Sequence, residues 1–138
     1  MIAEENKALV VKMADEIFNK KNVDALGDFM AEDMVDHNPP PGGKPGLEGL
    51  KDAMRMFMGA FPDMSFQIED LIAEEDKVVM RITSTGTHQG DLMGIAATGK
   101  KISYGEIHVV WIAGGKIVEH WGIEDQMGMM QQLRVIPS

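Results

Sequence analysis

A chain of 138 residues with 44% hydrophobic side chains can build one core, so a single domain over residues 1–138 is expected. Its formal charge of −9, from 22 acidic against 13 basic residues, repels phosphate backbones and anionic lipid, which argues against nucleic acid or a membrane surface as partner. The absence of cysteine excludes a disulfide framework, thiolate metal sites and a cysteine nucleophile, and no apolar run is long enough to span a bilayer. Glu4 and Glu5 stand where a signal peptide would be basic, so a cytoplasmic protein is expected.

Leu9, Val10, Met13, Ile17 and Phe18 recur at helical spacing and predict an amphipathic helix over residues 3–20. After Asn22, a good cap, Val23, Leu26, Phe29 and Met30 predict a second, shorter helix ending near Ala31. Residues 34–38 form a brief apolar-polar segment that runs into Pro39, Pro40, Pro41 and Gly42, and the prolines predict an ordered loop. From Gly46, a third helix is written by Leu47, Leu50, Met54, Phe57 and Phe61 and stops at Pro62.

The period then changes to two. Met64, Phe66 and Ile68 alternate with polar residues, and Glu74, Glu75 and Asp76 mark a turn into a second long strand over residues 78–88. In that strand Val78, Met80, Ile82, Ser84, Gly86 and His88 share one face, opposite Arg81, Thr83, Thr85 and Thr87. Residues 90–99, with three glycines and with Leu92, Met93 and Ile95, suit either a flap over an apolar opening or a plain surface loop. Residues 102–112 return to strand. Their facing stays open, because the Tyr104, Glu106, His108, Val110 set and the Ile107, Val109, Trp111 set both carry apolar bulk. Gly114 and Gly115 turn the chain into residues 116–125, and Met127, Met130 and Leu133 give a last helix up to Pro137.

Helices segregated from a run of meandering strands imply an α+β domain: a curved antiparallel sheet wrapped around three N-terminal helices, with a short C-terminal helix. Such a sheet leaves a pocket lined by Met, Ile, Val and Trp, the make-up of a small-molecule site. If the last strand is regular, Asp125 shares a face with Ile117, Trp121 and Ile123, where desolvation would raise its pKa and suit it to carry a proton. Equally, Asp125 can cap the helix that begins at Gln126. His37, His88, His108 and His120 lack the close spacing usual for metal ligands, and no phosphate loop, nucleophile elbow or dinucleotide fingerprint is present. Histidines and carboxylates in an apolar cavity are what proton transfer at carbon requires.

The segments DHNPPPG (36–42), AFPDM (60–64), GTHQGDLMGIAATGKKI (86–102) and GGKIVEHWGIEDQMGMMQQL (114–133) resemble the SnoaL-like polyketide cyclases, or ester cyclases, of the NTF2-like superfamily. The resemblance spans nearly the whole chain and implies a cone-shaped α+β fold. It further implies intramolecular aldol cyclisation of a keto-ester without metal or cofactor, with isomerases, dehydratases and hydroxylases as related activities. By that resemblance Asp125 is the expected acid/base, with His108 and then His88 as its hydrogen-bond partners. His37, Asn38, Trp121, Met93, Tyr104 and His120 make up the expected substrate-binding set. His120 ranks low in it, because a regular strand turns it away from the pocket, although a bulge would reverse that parity. A homodimer through the outer sheet face is expected as well.

Overall fold

A computed structural model describes residues 2–39 and 42–136 of the protein. The first amphipathic stripe forms α1 (Ile2–Ala14), extended through Asp15–Asn19 by a wider π-type turn, and it buries Val10, Met13 and Ile17. Val23–Asp28 then makes a short 3-10 segment that buries Val23 and Leu26.

Residues 30–36 depart from expectation. They form a strand, β1 (Met30–Asp36), where the second helix was expected to end near Ala31 and residues 34–38 to follow as a brief apolar-polar segment. Met30 and Met34 are both buried and four apart, a helical interval, yet the strand accommodates it through an irregular register. Met30 lies opposite Ile117 and Val35 opposite Glu119, so five steps along β1 match two along its partner. Pro40 and Pro41 of the following loop lie outside the described residues.

α2 (Gly46–Ala60) follows the predicted stripe, and Pro62 stands just beyond its end. β2 (Ser65–Glu74), β3 (Lys77–Thr87), β4 (Lys101–Ala113) and β5 (Lys116–Glu124) form an antiparallel meander. The curved, open sheet has the order β1-β5-β4-β3-β2, with β1 parallel to β5. The expected all-antiparallel sheet therefore gains a parallel edge strand. The β4–β5 turn needs positive φ at two successive residues, 58° and 76°, which Gly114 and Gly115 supply.

The principal core joins Val10, Ile17 and Leu26 from the helical segments to Val78, Ile82, Val110 and Ile117 of the sheet. A second cluster, with Phe61, Leu92, Tyr104, Met129 and Leu133, lies where α3 (Gln126–Leu133) closes the other end. The alternation read from β3 is the one observed, with Val78, Met80, Ile82 and Ser84 buried and Arg81 and Thr85 exposed. α3 ends at Leu133, where Arg134 turns left-handed at φ 61°; the expected stop at Pro137 lies outside the described residues.

Candidate active site

Between the helices and the inner face of the sheet lies a cavity of about 520 Å³, within the range of small-molecule sites. Its walls are apolar. Phe18, Leu50, Phe57 and Phe66 contribute, together with Met13, Met30, Met54, Met56, Met58, Met64, Met80 and Met93. Most of the chain's methionines thus serve the cavity rather than only filling core, and their unbranched thioethers can repack around ligands of different outline. The polar end is supplied by Asp36 and Asn38, by Tyr104, Glu106 and His108 of β4, by His120 and Glu124 of β5, and by Gln126.

A bulge decides which β5 residues reach this end. Ile112 pairs with Ile117 and Trp111 with Glu119, which leaves Val118 as an extra residue. Ile117 is fully buried in the core, and beyond the bulge the alternation inverts. His120, Gly122 and Glu124 consequently line the cavity.

The inward side chains form one hydrogen-bonded row. Asp36 Oδ1 accepts from Asn38 N–H at 3.1 Å and from His120 Nδ1–H at 2.9 Å. His120 Nε2 lies 2.8 Å from His108 Nδ1, and His108 Nε2 lies 3.2 Å from Glu106 Oε1. Ser84 Oγ donates to the other Glu106 oxygen. With both carboxylates ionised, the three links of the row require three N–H protons on four ring nitrogens, one more than two neutral imidazoles carry. That proton can reside on either ring, so the row is a proton relay in geometry.

Burial pushes Asp36 up, but the hydrogen bond from His120, the His120 charge, the Asn38 N–H and the His108 charge outweigh it and hold the carboxyl below its ordinary value. Glu106 behaves alike: burial raises it, and His108, Ser84 and Glu124 together bring it below the usual glutamate value. Glu124, opposite Glu106 in the β4–β5 register, is raised, by burial first and then by the neighbouring Glu106, against a Gln126 hydrogen bond that lowers it. Burial also raises Tyr104, and the charges of Glu106 and Glu124 add to the effect.

Of the expected site residues, His108, His120, Asn38, Tyr104 and Met93 line the cavity, and the flap reading of residues 90–99 agrees with Met93 there. Four others do not. Asp125 is exposed at the N-cap of α3, where its carboxylate accepts from Gly128 N–H at 2.9 Å; the β5 bulge turns Glu124 inward instead. His88 is fully buried away from the cavity. Its Nδ1 accepts from Thr98 N–H at 3.2 Å, and its Nε2 has no partner among the described residues. His37 and Trp121 stack on each other at 4.3 Å on the outer side, with His37 Nε2 2.9 Å from Glu119. His37 follows directly on the last residue of β1 and its N–H still bonds the His120 carbonyl, so turning Asp36 inward sends His37 outward.

Sequence reasoning passed over Asp36, Glu106, Glu124 and Gly122. A glutamate two positions from a histidine in an otherwise apolar alternation was the available signal for Glu106. Gly122 lies opposite His108, and a Cβ there would stand 2.6 Å from His108 Nδ1 and 3.0 Å from a His120 ring carbon. The missing side chain makes room for the two rings to meet. Gly122→Ala is expected to force them apart and to destabilise the protein by about 1–3 kcal/mol in chemical denaturation, the usual cost of overpacking. Wild-type stability in that variant would mean that the rings have space to spare.

Comparison with known proteins agrees with this architecture. A family model described as SnoaL-like polyketide cyclase matches residues 8–133. The chain is 28% identical over 131 residues to the aklanonic acid methyl ester cyclase DauD of Streptomyces sp. (strain C5), covering 90% of this chain and 79% of that protein. Among solved structures, AclR of Streptomyces galilaeus superposes with a TM-score of 0.87 at 29% identity, covering 99% of this chain and 85% of that one. TsrD of Streptomyces laurentii does so with a TM-score of 0.83 at 29% identity, covering 94% and 97%. The α+β cone is thus the NTF2-like fold, and the chain belongs to the SnoaL-like polyketide cyclase family.

Proposed function

We propose that the protein is a cofactor-free acid/base enzyme that moves a proton at a carbon next to a carbonyl, in an intramolecular aldol cyclisation or a related proton transfer. Its substrate would be a hydrophobic, cyclic, keto-ester-like small molecule. The observation that carries the reading is the Asp36–His120–His108–Glu106 row at the polar end of an otherwise apolar cavity. The keto-ester is suggested by relatives named aklanonic acid methyl ester cyclases.

In this scheme His108 is the group that exchanges a proton with substrate. It is the more open ring, with a side-chain exposure of 20% against 12% for His120, and its link to Glu106 is the longest in the row. When the relay lacks its extra proton, the Nε2 lone pair of His108 takes the proton from carbon. The charge then moves between His108 and His120, with Asp36 and Glu106 stabilising either position. The apolar walls exclude water and strengthen these interactions.

A carrier that binds without turnover is the second reading. One observation favours it: each of the four ring nitrogens already has a partner inside the protein. Deuterium exchange at the α-carbon of 2-tetralone, followed by NMR, separates the two. Wild type is expected to accelerate exchange and His108→Ala to lose about 100-fold of that acceleration, while Asp125→Asn keeps it. Binding without exchange in wild type would favour the carrier.

We infer in addition that two copies pair through the outer sheet face. Ile107 and Ile123 lie opposite each other in the β4–β5 register and are 51% and 75% exposed, close in sequence to the Trp111–Trp121 contact on the same sheet. Paired copies would remove this apolar strip from water. Ile107→Glu is expected to yield a monomer in sedimentation, with a dimer in wild type; a monomeric wild type would contradict the pairing.

A further inference from the structure

The relay accounts for a proton leaving carbon. The carbonyl oxygen, which gains charge in the same step, still needs a donor. No lysine or arginine is among the described residues that line the cavity, so cationic stabilisation from a side chain at that oxygen is not on offer. Asp36 and Glu106 are acceptors already committed to the relay.

We propose that Glu124, carrying its proton, is the acid of this site: it donates to Glu106 at rest and to the carbonyl oxygen of the bound substrate. The proposal rests on the acid/base reading above and supplies its second half. Glu124 and Glu106 are direct partners across β4 and β5 and both line the cavity. Two carboxyls at one place do not both ionise without a compensating cation, and Glu106 is the one held ionised, by His108 and Ser84. Gln126 Nε2 donates to Glu124 Oε1 at 3.0 Å, which leaves the other oxygen to carry the proton. The raised titration of Glu124 is in keeping with this division.

The step balances without an outside reagent. The C–H bond breaks, and its proton forms an N–H bond at His108 Nε2. The freed pair becomes the C=C bond, the carbonyl π pair moves to oxygen, and that oxygen takes the Glu124 proton. Collapse of the enol returns both protons, and the Glu124 carboxylate is neutral again.

Two measurements test the assignment. The first is a 13C NMR titration of the glutamate carboxyls, which needs no substrate. Glu124 is expected to keep its proton above the pH at which the exposed glutamates ionise, and to move down toward their range in Glu106→Gln, with burial still holding it above them. Titration of Glu124 with the exposed glutamates in wild type would overturn the proposal, even if His108 proves to be the base. The second is the pH profile of 2-tetralone exchange. In wild type the rate should fall as pH rises through the Glu124 titration. Glu124→Gln, whose amide donates a hydrogen bond but cannot give up a proton, should exchange at a rate between wild type and Glu124→Ala and lose that fall. Glu124→Ala should lose about 100-fold, the scale of one oxyanion donor. An unchanged high-pH fall in Glu124→Gln, or full exchange in Glu124→Ala, would also overturn it. Absence of exchange in wild type would defeat the reaction reading alone, and the carboxyl titration would still decide where the proton sits.

Discussion

Two imidazoles held ring to ring between two buried carboxylates are the constraint on which the rest of this site depends. His108 and His120 approach to 2.8 Å, a contact that needs a shared proton, and Asp36 and Glu106 at the two ends supply the negative charge that makes the shared state affordable. Each member comes from a different place in the chain. β1 brings Asp36, β4 brings Glu106 and His108, β5 brings His120, and β3 supports Glu106 through Ser84. The row therefore exists only if the sheet is assembled in its observed order, with β1 beside β5 and β5 beside β4.

Two backbone features place these groups. The bulge at Val118 turns His120 and Glu124 inward while leaving Ile117 in the core, so one strand serves both packing and chemistry. Gly122 then leaves the space in which the rings meet. Around this polar end the cavity is lined by methionine and aromatic side chains, which contribute burial and low dielectric without competing hydrogen bonds. An adaptable apolar body with a fixed polar end matches a family whose members share a fold and whose chemistry lies in the site.

Much of the fold was legible in the sequence because the apolar period states it. Leu47, Leu50, Met54 and Phe57 mark α2, and the alternation from Val78 to His88 gives both the extent and the facing of β3. β1 was not legible, since Phe29 and Met30 continue the helical spacing of Val23 and Leu26 and the irregular register of the strand hides its alternation. The site was read less well for the same reason. The parity of β5 turns on one inserted residue, so Trp121 was expected inward and is outside, Asp125 takes the capping reading rather than the inward one, and His120, ranked low, lies at the centre. His88 followed its predicted face correctly but sits beyond the cavity, walled into the second cluster beside Phe61. Asp36 could not be singled out among 22 acidic residues, because its partner His120 is 84 positions away, whereas the Glu106 signal lay in His108 two positions on and went unused.

The most direct measurement is 15N NMR of the histidine rings, read for scalar coupling across the hydrogen bond between them. The relay predicts a proton fixed on His120 Nδ1 and a nitrogen–nitrogen coupling between His108 Nδ1 and His120 Nε2 through the proton they share. Asp36→Asn should weaken that coupling. Its absence in wild type, with the exchanging tautomers of solvated histidines on both rings, would contradict the relay and the function built on it.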